Sequence, residues 1–180
     1  MKNTLHHYGL VTKLLHWVMA GLFIGMFIVA YVMTYISKSD FRMSLYDLHK
    51  ATGLLLFALV VLRVGWRYCN IQPVTPEERS SWRQLAKLCI VFAFYILMIV
   101  MPLSGFLTST AGGHAITFYG LFTIAPLAQN AAVSAFFSGA HEWLSYGLIA
   151  CFSVHVAAAL YHHFLLRDNV LRRMWFKPLT

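Results

Sequence analysis

His141 and His155 stand fourteen residues apart in the last apolar stretch of this 180-residue chain. Fourteen residues is close to four helical turns, so on a helix the imidazoles differ by about 40° in azimuth and about 21 Å in height. His16 lies early in the first apolar stretch and His49 opens the second. If successive stretches cross a bilayer in opposite directions, His16 comes level with His155, and His49 with His141. An ionisable side chain at membrane depth is costly unless partnered, which makes each of the four a functional candidate. Neutral imidazole is a good metal ligand, and facing helices can offer one to each side of a flat macrocycle. The chemistry that suits this spacing is axial ligation of iron in two stacked haems, one near each surface of an apolar layer about 30 Å thick. Six-coordinate iron has no open position for oxygen, which favours electron transfer. Zinc fits poorly, because each pair offers two ligands where zinc takes four, or three plus water.

The elements that must position these residues follow from composition. The chain is 59% hydrophobic and 11% charged, against about 25% charged in a soluble domain. Four apolar stretches, roughly Leu14–Ile36, Lys50–Tyr68, Leu85–Thr108 and Glu142–Leu166, reach the length of about 20 residues needed to span. A spanning segment must satisfy its own backbone, so each is expected to be a helix. The expected fold class is all-α: an integral-membrane four-helix bundle, read as one domain over residues 1–180. The first stretch exceeds the 7–15 residue core of a signal peptide and is expected to be retained. Lys2, Lys13, Arg63, Arg67, Arg79, Arg83, Lys87, Arg167, Arg172, Arg173 and Lys177 gather at one side of this topology. The positive-inside rule then puts both termini in the cytoplasm of a multi-pass inner-membrane protein. The net charge of +8 is thus a topology signal and calls for no nucleic-acid partner; it suits an anionic lipid surface. The odd set Cys69, Cys89 and Cys151, with no C-x-x-C-H run, implies neither a disulfide framework nor covalently attached haem.

Local signals refine the elements. Ser44-Leu45-Tyr46-Asp47 reads as a capping box opening the second helix, and Thr75 followed by Pro76 reads as a helix start. Pro102 should kink the third span near its outer end. The connection at about Ser109–Gly139 is apolar but broken by Gly120, Pro126 and Asn130. A short helix lying in the outer interface is the expected form, roofing an outer cofactor.

Several residues accompany the histidines. Gly53, one turn after His49, would let a flat ring approach the backbone, or serve helix packing. Arg63 is fourteen residues after His49 and near the inner pair's level; it suits a haem propionate or snorkels to headgroups. Arg67 reads as a topology anchor. Trp17 and Trp143 fit interfacial belts, although Trp17, beside His16, also suits the lining of a cavity. His162, two turns beyond His155, is an alternative inner ligand, part of a quinone pocket, or with His163 a polar helix end. His6, His7 and His114 carry no spacing signal.

His16-Trp17, His49-x-x-x-Gly53 with Arg63-x-x-Trp66-Arg67, and His141-Glu142 through His155 to His162-His163 and Arg167-Asp168-Asn169 together resemble the bacterial cytochrome b561 family. The resemblance runs from about Leu10 to Met174. It implies a four-helix bundle with two non-covalent b haems, held by His16 with His155 and by His49 with His141. Within the family the chain resembles the superoxide oxidases, which take an electron from superoxide on the periplasmic side and reduce ubiquinone. That likeness implies an oxidoreductase whose outer haem receives the electron and whose inner haem serves the quinone. Lys38, Arg42 and Lys50 would attract the superoxide anion, against the opposing charge of Asp40, Asp47 and Glu142 on the same side. The alternatives are a cytochrome b subunit serving a periplasmic dehydrogenase or hydrogenase, and a non-redox membrane scaffold. Sequence leaves the oligomeric state open.

Overall fold

The computed structural model describes residues 2–5, 7–73 and 81–176, with the side chains of 81–83 and 87 outside the description. The elements in order are α1 (Leu10–Tyr35), α2 (Asp40–Tyr68), α3 (Ser81–Ala111), β1 (Ile116–Phe118), β2 (Phe122–Ile124), α4 (Ala131–Phe164) and α5 (Val170–Arg173). Among the described residues, four helices are long and apolar enough to cross a membrane: α1, α2, Gln84–Ala111 within α3, and α4. The molecule is an all-α membrane bundle. Large apolar side chains such as Ile28, Leu62, Phe92 and Leu160 point outward, where water would penalise them and acyl chains would not. One core cluster takes a buried residue from each long helix, Met19, Val60, Met98 and Leu148, and α2 also buries Ala51, Thr52 and Leu56. Leu148 is seven residues from both His141 and His155, so that cluster lies between the two histidine levels.

The helices pack in sequence, α1 on α2, α2 on α3 and α3 on α4. At one end the chain termini meet. Asn3 donates to the Ile71 carbonyl at 2.9 Å and accepts from Gly9 N and Thr12 Oγ1, each at 2.8 Å. Lys13 Nζ reaches the Trp175 carbonyl at 2.8 Å. This is the terminal end.

The opposite end corrects an expectation. The connection after α3 holds no short interfacial helix; it forms the antiparallel hairpin β1–β2, paired Ile116 with Ile124 and Phe118 with Phe122. Apolar residues there alternate with Thr117 and Thr123, whose hydroxyls bond at 3.1 Å, which is the period of a strand. Tyr119 and Gly120 both have positive φ, 46° and 77°, and Leu121 N donates to Phe118 O at 2.8 Å. These are the marks of a type I′ turn, whose twist matches a hairpin. The Tyr119 hydroxyl, 2.8 Å from Thr52 Oγ1, fixes the hairpin to α2 three residues beyond His49.

Helix starts also differ from expectation. α2 opens at Asp40, with Ser39 Oγ accepting from Arg42 N. Ser44 is already inside and bonds back to the Asp40 carbonyl; the earlier serine captured the free amides. α4 begins at Ala131, eleven residues before Glu142, because Asn130 is its N-cap and accepts from Val133 N at 3.1 Å. α3 runs through Pro102 to Ala111. The start expected at Thr75 lies outside the described residues. Replacing Asn130 by Ala should destabilise the protein by about 1 kcal/mol, read as a lower thermal midpoint in detergent, whereas Asn130→Asp should retain the wild-type midpoint.

Candidate cofactor-binding site

α4 brings both of its histidines to partners on other helices. His155 faces His16 of α1 with ring centroids 6.2 Å apart and planes at 73°. His141 faces His49 of α2, also at 6.2 Å, with planes at 79°. The depth matching expected from sequence is therefore present at both levels. Among the described residues no group of three or more His, Cys, Asp or Glu could hold a metal ion, so each site offers two opposed imidazoles.

The residues fit a haem. With about 2.0 Å for a bond between imidazole nitrogen and a first-row metal, two rings on opposite sides of one ion have centroids about 6.3 Å apart. Direct ring contacts also span about 4.5–7 Å; what sets these two pairs apart is that each joins imidazoles of different helices, one pair at each level. Among the described residues His49 Nδ1 is buried without a protein partner, as are Arg42 Nε, Asn70 Oδ1 and His163 Nδ1 outside the two pairs.

The surroundings of the four rings differ. His141 Nδ1 lies 3.0 Å from Ser104 Oγ and 3.1 Å from the Met101 carbonyl, both on α3. At the terminal end, Arg63 Nη2 lies 3.2 Å from His16 Nδ1, which places Arg63 at the level of the His16–His155 pair, as its spacing indicated. The ring of Trp17 stands edge-on to His16 at 5.3 Å, and Phe94 meets His155 at 5.4 Å. Trp17 Nε1 donates to the Met174 carbonyl at 2.8 Å, and its ring packs against Trp175, so it ties the C-terminal segment over the His16 level.

His162 bonds Asp168; that carboxylate also accepts from Val170 N at 3.0 Å and shapes the turn in which Arg167 has φ of 52°. His155, not His162, is the α4 ring that meets His16. A side chain at Gly53 would meet only the Met26 methyl, at 3.8 Å, so that face is open one turn beyond His49. Of the three cations assigned to the other end, Lys50 is paired with Asp47 at 2.8 Å and donates to the Ala115 carbonyl. Arg42 lies over the Tyr46 ring, and Lys38 is exposed. Sequence reasoning missed Ser104 and Gly105. The only local signal was their place just after Pro102, on a helix that gives neither pair a histidine.

A family profile for prokaryotic cytochrome b561 matches residues 7–177. The chain is 34% identical over 174 residues to cytochrome b561 homolog 2 of Escherichia coli (strain K12), covering 96% of this chain and 93% of that protein. It is 28% identical over 132 residues to cytochrome b561 homolog 1 of the same organism, covering 71% of this chain and 73% of that one.

The engagement of His162 with Asp168 gives a direct test of which α4 histidine serves the terminal-end site. His162→Gln should leave the haem extracted per chain unchanged, while His155→Gln should lower it.

Proposed function

The chain belongs to the prokaryotic cytochrome b561 family, and from that premise we propose that it carries electrons through two b haems from superoxide to ubiquinone. The family binds haem b, and four helices able to span make this a multi-pass membrane cytochrome. The observation that carries the two-haem part of this reading is the pairing of His16 with His155 and of His49 with His141 on facing helices, each at 6.2 Å; superoxide and ubiquinone come from the resemblance in the sequence. In the proposed inner-membrane orientation, the His49–His141 site faces the periplasm and the His16–His155 site faces the cytoplasm. That orientation keeps the termini, with Lys13, Arg172 and Arg173, on the inner side.

Bound haem supplies a one-electron carrier at each level. The protein's part is to hold, shield and attract. Each imidazole pair fixes one carrier, and the layer of Met19, Val60, Met98 and Leu148 keeps water from the space between them. Superoxide gives up one electron to become dioxygen; two electrons and two protons convert ubiquinone to ubiquinol. At the outer end Lys38 and Arg42 attract the anion, an effect that salt weakens, while Lys50 contributes less because Asp47 offsets it.

One observation favours a second reading, a subunit that accepts electrons from a periplasmic dehydrogenase or hydrogenase. The hairpin exposes Tyr119, Leu121 and Phe122, which would suit a partner's surface. Stopped-flow mixing of the oxidised holoprotein with superoxide, without any partner protein, separates the two. Prompt haem reduction, followed by reoxidation when a ubiquinone analogue is added, is the expected result; no reduction without a partner overturns the superoxide reading. His49→Ala should keep one haem per chain and lose the prompt phase.

A further inference from the structure

α3 supplies no member of either histidine pair, yet it grips one of those rings on two sides. Ser104 Oγ donates to the Met101 carbonyl at 2.7 Å. Its remaining lone pairs face His141 Nδ1 at 3.0 Å, and the same carbonyl faces that nitrogen at 3.1 Å. Two acceptors on Nδ1 require the ring proton there and leave the lone pair on Nε2. Ser104 is 2% exposed, so no bulk water competes. On the ring's flank, a Cβ at Gly105 would lie 2.8 Å from His141 Cε1 and 3.1 Å from Nδ1; any side chain there would push the imidazole aside. The remaining rings are treated otherwise. His49 Nδ1 is buried without a hydrogen-bond partner, and Arg63 Nη2, 3.2 Å from His16 Nδ1, puts a cation rather than an acceptor oxygen beside that ring.

We infer that Met101, Ser104 and Gly105 form a positioning seat that fixes the tautomer and rotation of His141 and makes the His49–His141 haem the lower-potential centre. This rests on the two-haem reading. A ligand imidazole whose second N–H donates to oxygen is a stronger base, and it stabilises ferric iron more than ferrous. At the other level the guanidinium of Arg63 adds positive charge beside His16, which favours the less positive, reduced iron. The two environments act in opposite directions, so an electron arriving at the hairpin end moves downhill toward the terminal end. The direction of transfer is thus set by groups that touch no substrate.

Spectroscopic redox titration of the holoprotein, together with haem extraction, tests this. The wild type should hold two haems with two midpoints, the lower of which disappears in His49→Ala. Ser104→Ala should raise that lower midpoint alone, by roughly the tenfold change that corresponds to about 59 mV for one electron, and Ser104→Thr should restore it. Gly105→Ala should weaken that haem by about 10–100-fold, leaving close to one haem per chain. If Ser104→Ala moves neither midpoint or moves both alike, or if Gly105→Ala keeps two haems at wild-type midpoints, the seat does not act as inferred. A wild type holding a single haem overturns both the two-haem reading and this inference.

Discussion

Polar ring nitrogens brought into a low-dielectric interior must find something to bind, and the molecule is organised around that demand. His16, His49, His141 and His155 come from three helices and close into two pairs with one common separation. Hydrocarbon gives no driving force for helices to associate by burying apolar surface, because acyl chains are as apolar as leucine. The buried residues are correspondingly few, and the outward faces are richly hydrophobic. The polar groups then do much of the work of specifying which helix meets which, and at what height.

α4 acts as the ruler. Both of its histidines lie on one rigid helix, so the interval between levels is fixed before any contact with α1 or α2 is made. The other two helices must each adjust to it independently. A slip of one turn, about 5.4 Å, would part either pair. Resistance to slipping comes from features spread along the bundle: the Thr52–Tyr119 hydrogen bond near His49, the Trp66–Thr12 bond near His16 and the interlocked residues of the central layer. The two ends are finished differently, one by a hairpin pinned to α2 and the other by interwoven termini.

Much of this was legible in the sequence because it depends on periods that a sequence displays directly. Apolar length revealed the four helices, and the fourteen-residue interval gave the two levels. Arg63 was placed at the right height by the same arithmetic. The connection after α3 was misread because its apolar content outweighed its alternation; Ile116, Phe118, Phe122 and Ile124 look like an interfacial helix until Tyr119-Gly120 is seen as a turn. Ser44 reads as a cap from the local pattern, but the helix opens earlier, and only the fold shows that Ser39 meets the free amides. The seat around His141 was illegible for another reason. It is built from a main-chain carbonyl, a hydroxyl and a missing side chain, on a helix that shares no sequence neighbourhood with the ring it holds.

The order of the elements along the chain has a bearing on how the protein is made. α4 is the last long helix, and it contributes a member to both pairs. Until the ribosome has delivered it to the membrane, His16 and His49 have no counterparts, however long α1 and α2 have been inserted. The stretch that closes the terminal end, with Met174 and Trp175 laid over Trp17, emerges later still. Acquisition of any prosthetic group held by these pairs therefore follows the insertion of α4, and a chain truncated before Ala131 is left with two unmatched imidazoles.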